Sequence, residues 1–174
     1  GAFMDITQIK RAEEALIENE AQFRAMFELT GVGMAQANPR TGQLLRVNGT
    51  FAQMLGYDVA ELIGAPFSQF THPDDRDADW SRFSRMARGE TPVYVSEKRY
   101  VRKDGSVFWV NVTATLTTPP SDPASRTVAV IQDVTRQKQI ETQLRENEER
   151  QAFLVKLLDT LRPLPDPGEV QAAA

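Results

Sequence analysis

The single histidine heads the run His72-Pro73-Asp74-Asp75, which brings an imidazole and two carboxylates together in the sequence. Those groups could serve acid–base or metal chemistry. A histidine-clustered metal site needs more than one imidazole, and the chain has none to add. It also has no cysteine, which excludes disulfides, thiol catalysis, cysteine–zinc sites and iron–sulfur clusters. A structural reading fits the run better. Pro73 suits the first turn of a helix, where its missing N–H costs nothing. Asp74 and Asp75 favour the positive end of the helix dipole. Thr71 or His72 is the cap, and the sequence leaves both open. Asp75, Asp77 and Asp79 mimic the start of a calcium loop. Trp80 stands where that loop needs glycine and Met86 where it needs glutamate, so calcium is rejected. No Gly-x-Ser-x-Gly elbow, Walker loop or dinucleotide fingerprint is present.

A second group of residues could do binding chemistry. Met34, Met54, Met86, Phe67, Phe70, Phe83 and Trp80 are large and apolar, suited either to a packed core or to a pocket wall. The wall candidates are Met34, Phe70, Phe83 and Met86, from the first strand and the helices after it. An apolar or aromatic ligand would suit them.

The elements that must hold these residues read as α+β. Of the 174 residues, 41% are hydrophobic and 25% charged, enough for one core with helical extensions. Strands are predicted over 32–37 and 43–47, joined by the turn Asn38-Pro39-Arg40-Thr41-Gly42. Short helices are predicted over 49–55, 59–62 and 67–70, and a longer one over 73–89. Strands 93–102 and 107–116 form a hairpin across Lys103-Asp104-Gly105. A loop rich in Pro and Ser leads to a last strand over 127–132. On the second hairpin strand Phe108, Val110, Val112, Ala114 and Leu116 make one apolar face. Trp109 on the other face, amid threonines, predicts partial cover there too.

Charged helices flank this middle. Ile9, Ala12, Leu16, Asn19, Phe23 and Met26 alternate at three and four residues, a heptad seam. Phe23, Met26 and Phe27 are expected to pack on their own sheet. The second seam is Gln137, Ile140, Leu144, Asn147, Gln151, Leu154, Leu158 and Leu161. An Asn at a seam position costs stability but fixes register and favours two strands. Pro163, Pro165 and Pro167 then stop the helix. The two segments share one register: Asp5 with Asp133, Thr7 with Thr135, Leu16 with Leu144, and Glu18-Asn19-Glu20 with Glu146-Asn147-Glu148. A strand end, an Asp-x-Thr and a helix occurring twice is the mark of a tandem array.

Several motifs together carry a resemblance. They are Arg46-Val-Asn-Gly-Thr-Phe-Ala-Gln-Met-Leu-Gly-Tyr57, Glu61-Leu-Ile-Gly64, His72-Pro-Asp-Asp75, Glu97-Lys-Arg-Tyr-Val-Arg-Lys-Asp-Gly-Ser-Val-Phe-Trp109 and Asp133-Val-Thr135. In this order they resemble a PAS sensor domain. The resemblance implies a five-stranded antiparallel sheet cupped by short helices around a cavity, with N- and C-terminal amphipathic coiled-coil helices. It implies a linker helix after a preceding PAS module over 1–22, the PAS domain over 23–135, a signalling helix over 136–162 and a Pro-rich linker to a further domain over 163–174. It also implies a module that senses a stimulus and relays it through the junction Asp133 and Thr135 to the output helix, in a sensor histidine kinase or related signalling protein.

Haem-binding relatives place an axial histidine in the long helix, where this chain has none after His72, so haem is not expected. Cysteine-adduct flavin photochemistry is not expected either, and the cofactor is left unknown. The module itself is expected to be non-catalytic. A homodimer is expected through Ile140, Leu144, Asn147, Leu154 and Leu158, with neighbouring PAS and output domains as further partners. A net charge of −4 argues against nucleic acid. No apolar run reaches the ~18–20 residues of a membrane helix. The segment is therefore expected to be cytoplasmic, without direct membrane contact. A ligand-free interaction scaffold is the competing reading.

Overall fold

The computed structural model describes residues 2–161, with side chains from residue 5. The prolines at 163, 165 and 167 and the predicted linker over 163–174 lie outside the described residues. Helix α1 (Ala2–Leu29) leads into β1 (Gly33–Ala37) and β2 (Leu44–Val47). Helices α2 (Gly49–Leu55) and α3 (Val59–Leu62) follow, then two single 3-10 turns, Phe67–Gln69 and Pro73–Asp75. Helix α4 (Arg76–Ala87) precedes β3 (Tyr94–Val101), β4 (Val107–Leu116), β5 (Thr127–Asp133) and α5 (Thr135–Leu161). The strands make one antiparallel sheet in the order β2-β1-β5-β4-β3. The chain divides into two compact units between Thr135 and Arg136.

Local chemistry explains the turns. Asn38 and Gly42 close the β1–β2 connection, with Gly42 N–H donating to the Asn38 carbonyl at 2.8 Å. Gly42 sits at φ 70°, and a Cβ there would come within 2.8 Å of the Phe67 ring. Only glycine meets both demands. At the β3–β4 turn the Asp104 carboxylate accepts from Ser106 N–H at 2.8 Å, the local bond that makes Asp-Gly a turn signal.

Asn48 ties the first part of the fold together. Its side-chain oxygen accepts from Met34 N–H and Phe51 N–H, both at 2.9 Å. Its amide donates to the carbonyls of Phe27 at 2.8 Å and Val32 at 3.0 Å. One buried side chain thus caps α2, holds β1 and anchors the end of α1.

Helix α1 differs from expectation in two places. Asp5-Ile6-Thr7, expected as a strand end, is helical and exposed. A strand needs a ladder partner, and no described strand pairs with this segment. Phe27 is buried and Phe23 half-buried, with the Arg46 guanidinium 5.1 and 5.0 Å from their rings. Met26, expected beside them, is instead exposed: one position before Phe27, it lies about a quarter turn round the helix from that buried ring. The His72 question is also resolved. His72 Nδ1 accepts from Asp74 N–H at 3.4 Å, so His72 is the cap, and Thr71 is fully buried.

Candidate functional site: an alanine-floored cavity with a buried charge pair

The core lies between the sheet's inner face and the helices from α2 to α4. Strand register sets its floor. Ala35 of β1 faces Ala129 of β5, Ala129 faces Ala114 of β4, and Ala114 faces Tyr94 of β3. Three alanines in one cross-strand row leave a trough that larger side chains would fill. Phe51, Phe67 and Phe83 stand over it, and Ile131, Val112 and Thr127 bound it. The resulting cavity is small, about 30 Å³.

Lys98 is the charged side chain in that wall, and it is buried. It alternates inward with Tyr94, Ser96 and Tyr100 along β3. Its partner is Asp79, equally buried, which sits on α4 with Phe83 and Met86 at i, i+4 and i+7. Lys98 Nζ donates to Asp79 Oδ2 and, at 3.2 Å, to Tyr94 Oη. The Tyr94 hydroxyl donates to Asp79 Oδ1. The Thr71 hydroxyl lies 3.5 Å from Asp79 Oδ2. The ammonium also sits 4.9 Å from the ring centres of both Phe67 and Tyr100. Burial pushes the Lys98 amine below its usual range, and the Asp79 charge pulls against that shift. Burial, then the Asp79 charge, holds the Tyr94 and Tyr100 phenols well above the ordinary tyrosine range.

Arg99 points to the opposite face and makes a matching grip outside. Asp75 Oδ2 accepts from Arg99 N–H at 2.9 Å and from Nε at 3.0 Å, and Oδ1 accepts from Nη2 at 2.7 Å. That bidentate hydrogen bonding holds the Asp75 carboxyl below its usual range. Asp75 therefore does more than favour a helix dipole: it clips the start of α4 to β3. The Arg99 guanidinium lies 5.7 Å from the ring of Trp109, its register partner on β4.

Trp109 leads to the junction. Its N–H donates to Thr135 Oγ1 at 3.0 Å, and its carbonyl accepts from Val134 N–H at 2.9 Å. Thr135 thus bonds the β4 backbone rather than a free helix N–H. Asp133 takes the capping part: its Oδ1 accepts from Thr135 N–H at 2.9 Å. Its Oδ2 accepts from Arg102 at 3.3 Å. Arg102 also donates to the Met54 carbonyl at 2.9 Å and lies 3.9 Å from the Phe108 ring centre.

The chain belongs to the PAS family. Residues 44–131 match its family model, described as the PAS fold. The chain is similar to part of the probable diguanylate cyclase DgcE of Escherichia coli (strain K12), 34% identical over 132 residues. That match covers 75% of this chain and 12% of DgcE. It is 26% identical over 137 residues to the sensor histidine kinase TmoS of Ectopseudomonas mendocina, covering 79% of this chain and 14% of that protein. A solved sensory box histidine kinase/response regulator from Burkholderia thailandensis E264 superposes with a TM-score of 0.58 at 25% identity, over 75% of this chain and 96% of that one. The PAS chain therefore spans about an eighth of the length of these curated relatives, which are signalling proteins.

Of the four wall candidates in this PAS domain, Phe83 lines the cavity. Met34 does not. In β1 the inward positions are Ala35 and Ala37, and strand alternation turns Met34 to the other face, half-buried. Phe70 and Met86 are buried core residues outside the wall. Phe70 packs edge-on against Tyr57, 5.4 Å between ring centres. The seam residues Ile140, Leu144, Leu154 and Leu158 lie exposed on α5, as do Asn147 and the off-seam Phe153, Val155 and Leu157. Among the described residues, no helix is long and apolar enough to cross a membrane.

Proposed function

We propose that this chain is a sensory and dimerisation module of a cytoplasmic signalling protein, with no catalysis of its own. A stimulus acts at the cavity. The α4–β3 contact carries it to Trp109, and the Asp133-Val134-Thr135 junction hands it to α5. Two copies pair through Ile140, Leu144, Asn147, Leu154 and Leu158 as a parallel coiled coil. Neighbouring PAS and output domains of the same parent chain receive the signal. The observation that carries this reading is the double tie of the Trp109 backbone to Val134 and Thr135. A shift of β4 must strain or release the first turn of the output helix, and a small bias suffices to move a two-state helix pair.

The small volume of the cavity favours a second reading, a ligand-free relay whose input comes from a neighbouring domain. Both readings need the junction. The test is Thr135→Val in the full-length parent, with the exposed Lys103→Met as a control. Thr135→Val is expected to abolish the stimulus dependence of output while dimerisation is kept. Unchanged stimulus dependence would overturn the relay.

A further inference from the structure

The cavity has two chemically different ends. The apolar end is the alanine row Ala35–Ala129–Ala114 under the three phenylalanines. The polar end is Lys98. An ammonium has three donors. Two are taken by Asp79 and Tyr94, and no third acceptor meets Lys98 Nζ among the described hydrogen bonds. Lys98 lines the cavity beside Phe67 and Tyr100, so this third donor is the one left for an occupant.

The surroundings then restrict what that occupant can be. Lys98 and Asp79 together are neutral, whichever of them holds the proton. An anion would add a buried charge with no partner, and a cation would face the ammonium. Either is expensive in a low-dielectric core. The Tyr94 hydroxyl proton is already given to Asp79, and the Asp79 oxygens already accept from Tyr94 and Lys98. Among Lys98, Asp79 and Tyr94 the free hydrogen-bonding capacity is therefore a donor, and its complement is a neutral oxygen acceptor; the Tyr100 and Thr127 hydroxyls, on residues of the same wall, can accept from the O–H of an alcohol. Size is the last constraint. Benzene fills a cavity of about 150 Å³, whereas this one has about 30 Å³.

We propose that the cavity binds a neutral alcohol or carbonyl compound of about three heavy atoms or fewer, its oxygen accepting from Lys98 and its carbon end lying on Ala35, Ala114 and Ala129. This rests on the sensory reading of the cavity and names the ligand class for it. So small a ligand binds weakly, with a dissociation constant of about 1 mM at best.

The test is a methyl and amide NMR titration of the whole chain with ethanol, and with formate and xenon as the charged and apolar comparators. Ethanol is expected to shift the Ala35, Ala114 and Lys98 signals saturably, with formate and xenon about tenfold weaker or more. Ala114→Val fills the trough while leaving Lys98 and Asp79 intact, and is expected to abolish the shifts. Lys98→Met should abolish them too; if that variant does not fold, Ala114→Val still decides. Absence of saturable shifts, or xenon binding as well as ethanol, would overturn the proposal, as would ethanol shifts that persist in Ala114→Val. The two readings fail separately. Saturable shifts at Ala35 and Ala114 with none at Trp109, Val134 or Thr135 would keep the ligand site and sink the relay.

Discussion

Lys98 and Arg99 are neighbours on one strand, and each pairs with an aspartate at the start of α4. They differ in where the pair lies. Lys98 and Asp79 are 3% and 2% exposed at their side chains, whereas Arg99 and Asp75 are 28% and 23% exposed. Water shares the outer pair and is excluded from the inner one. The inner pair has therefore lost its hydration and holds together only while both members are present. The outer pair can lose a member to solvent at modest cost. In the proposed relay the inner clip is the one that couples α4 to the cavity, and the outer one holds α4 to the sheet.

The largest effect should come from splitting the inner pair. Lys98→Met or Asp79→Ala is expected to lower stability by about 3–5 kcal/mol in urea unfolding, because a buried charge is left alone. Replacing Asp79, Tyr94 and Lys98 together by Leu, Phe and Met should recover most of that loss. Arg99→Met should cost only about 1 kcal/mol. If Arg99→Met cost as much as Lys98→Met, the contrast between the faces would fail.

Acid titration separates the pairs further. The Arg99 hydrogen bonds depress the Asp75 carboxyl in the folded chain. Stability from this pair is therefore present above the ordinary aspartate range and lost as pH falls through the depressed folded value. Arg99→Met should flatten that acid limb, which urea unfolding at a series of acidic pH values would measure.

How much of this was legible in the sequence depended on residue size and charge. The β3–β4 hairpin was plain because Asp104-Gly105 is a turn with a mechanism, and β4 because its alternation is strict. The helices from α2 to α4 followed from their glycine and proline punctuation. The cavity wall was less legible, because large side chains are a poor guide to empty space. Met34 has volume, but Ala35 and Ala37 hold the inward positions, and it is the missing volume that makes the trough. The buried pair was missed because charged residues read as surface. Two signals could have found it: Lys98 keeps step with Tyr94, Ser96 and Tyr100 at period two, and Asp79 keeps step with Phe83 and Met86 on one helix face. Strand order was not legible, because the β1–β5 and β4–β5 pairings join segments far apart in sequence.

The junction should respond less than the inner pair. Asp133→Ala removes the acceptor for Thr135 N–H and the partner of Arg102, and is expected to cost about 1 kcal/mol in thermal melts. An unshifted melting temperature would remove Asp133 as a cap. The smallest effect on the sheet should come from Asn147→Leu on α5. It should leave the PAS melting transition alone and tighten the dimer about tenfold by sedimentation. Unchanged association would remove Asn147 from the seam.

Amide hydrogen exchange in Asp79→Asn tests the central claim most directly, since it reads the inner pair and the junction in one experiment. The account predicts that Trp109, Val134 and Thr135 lose about tenfold or more protection beyond any change at Gln36 and Arg46, register partners in the β1–β2 ladder. An equal change at all five amides would mean that the buried pair only stabilises the fold, and would contradict a route from cavity to output helix.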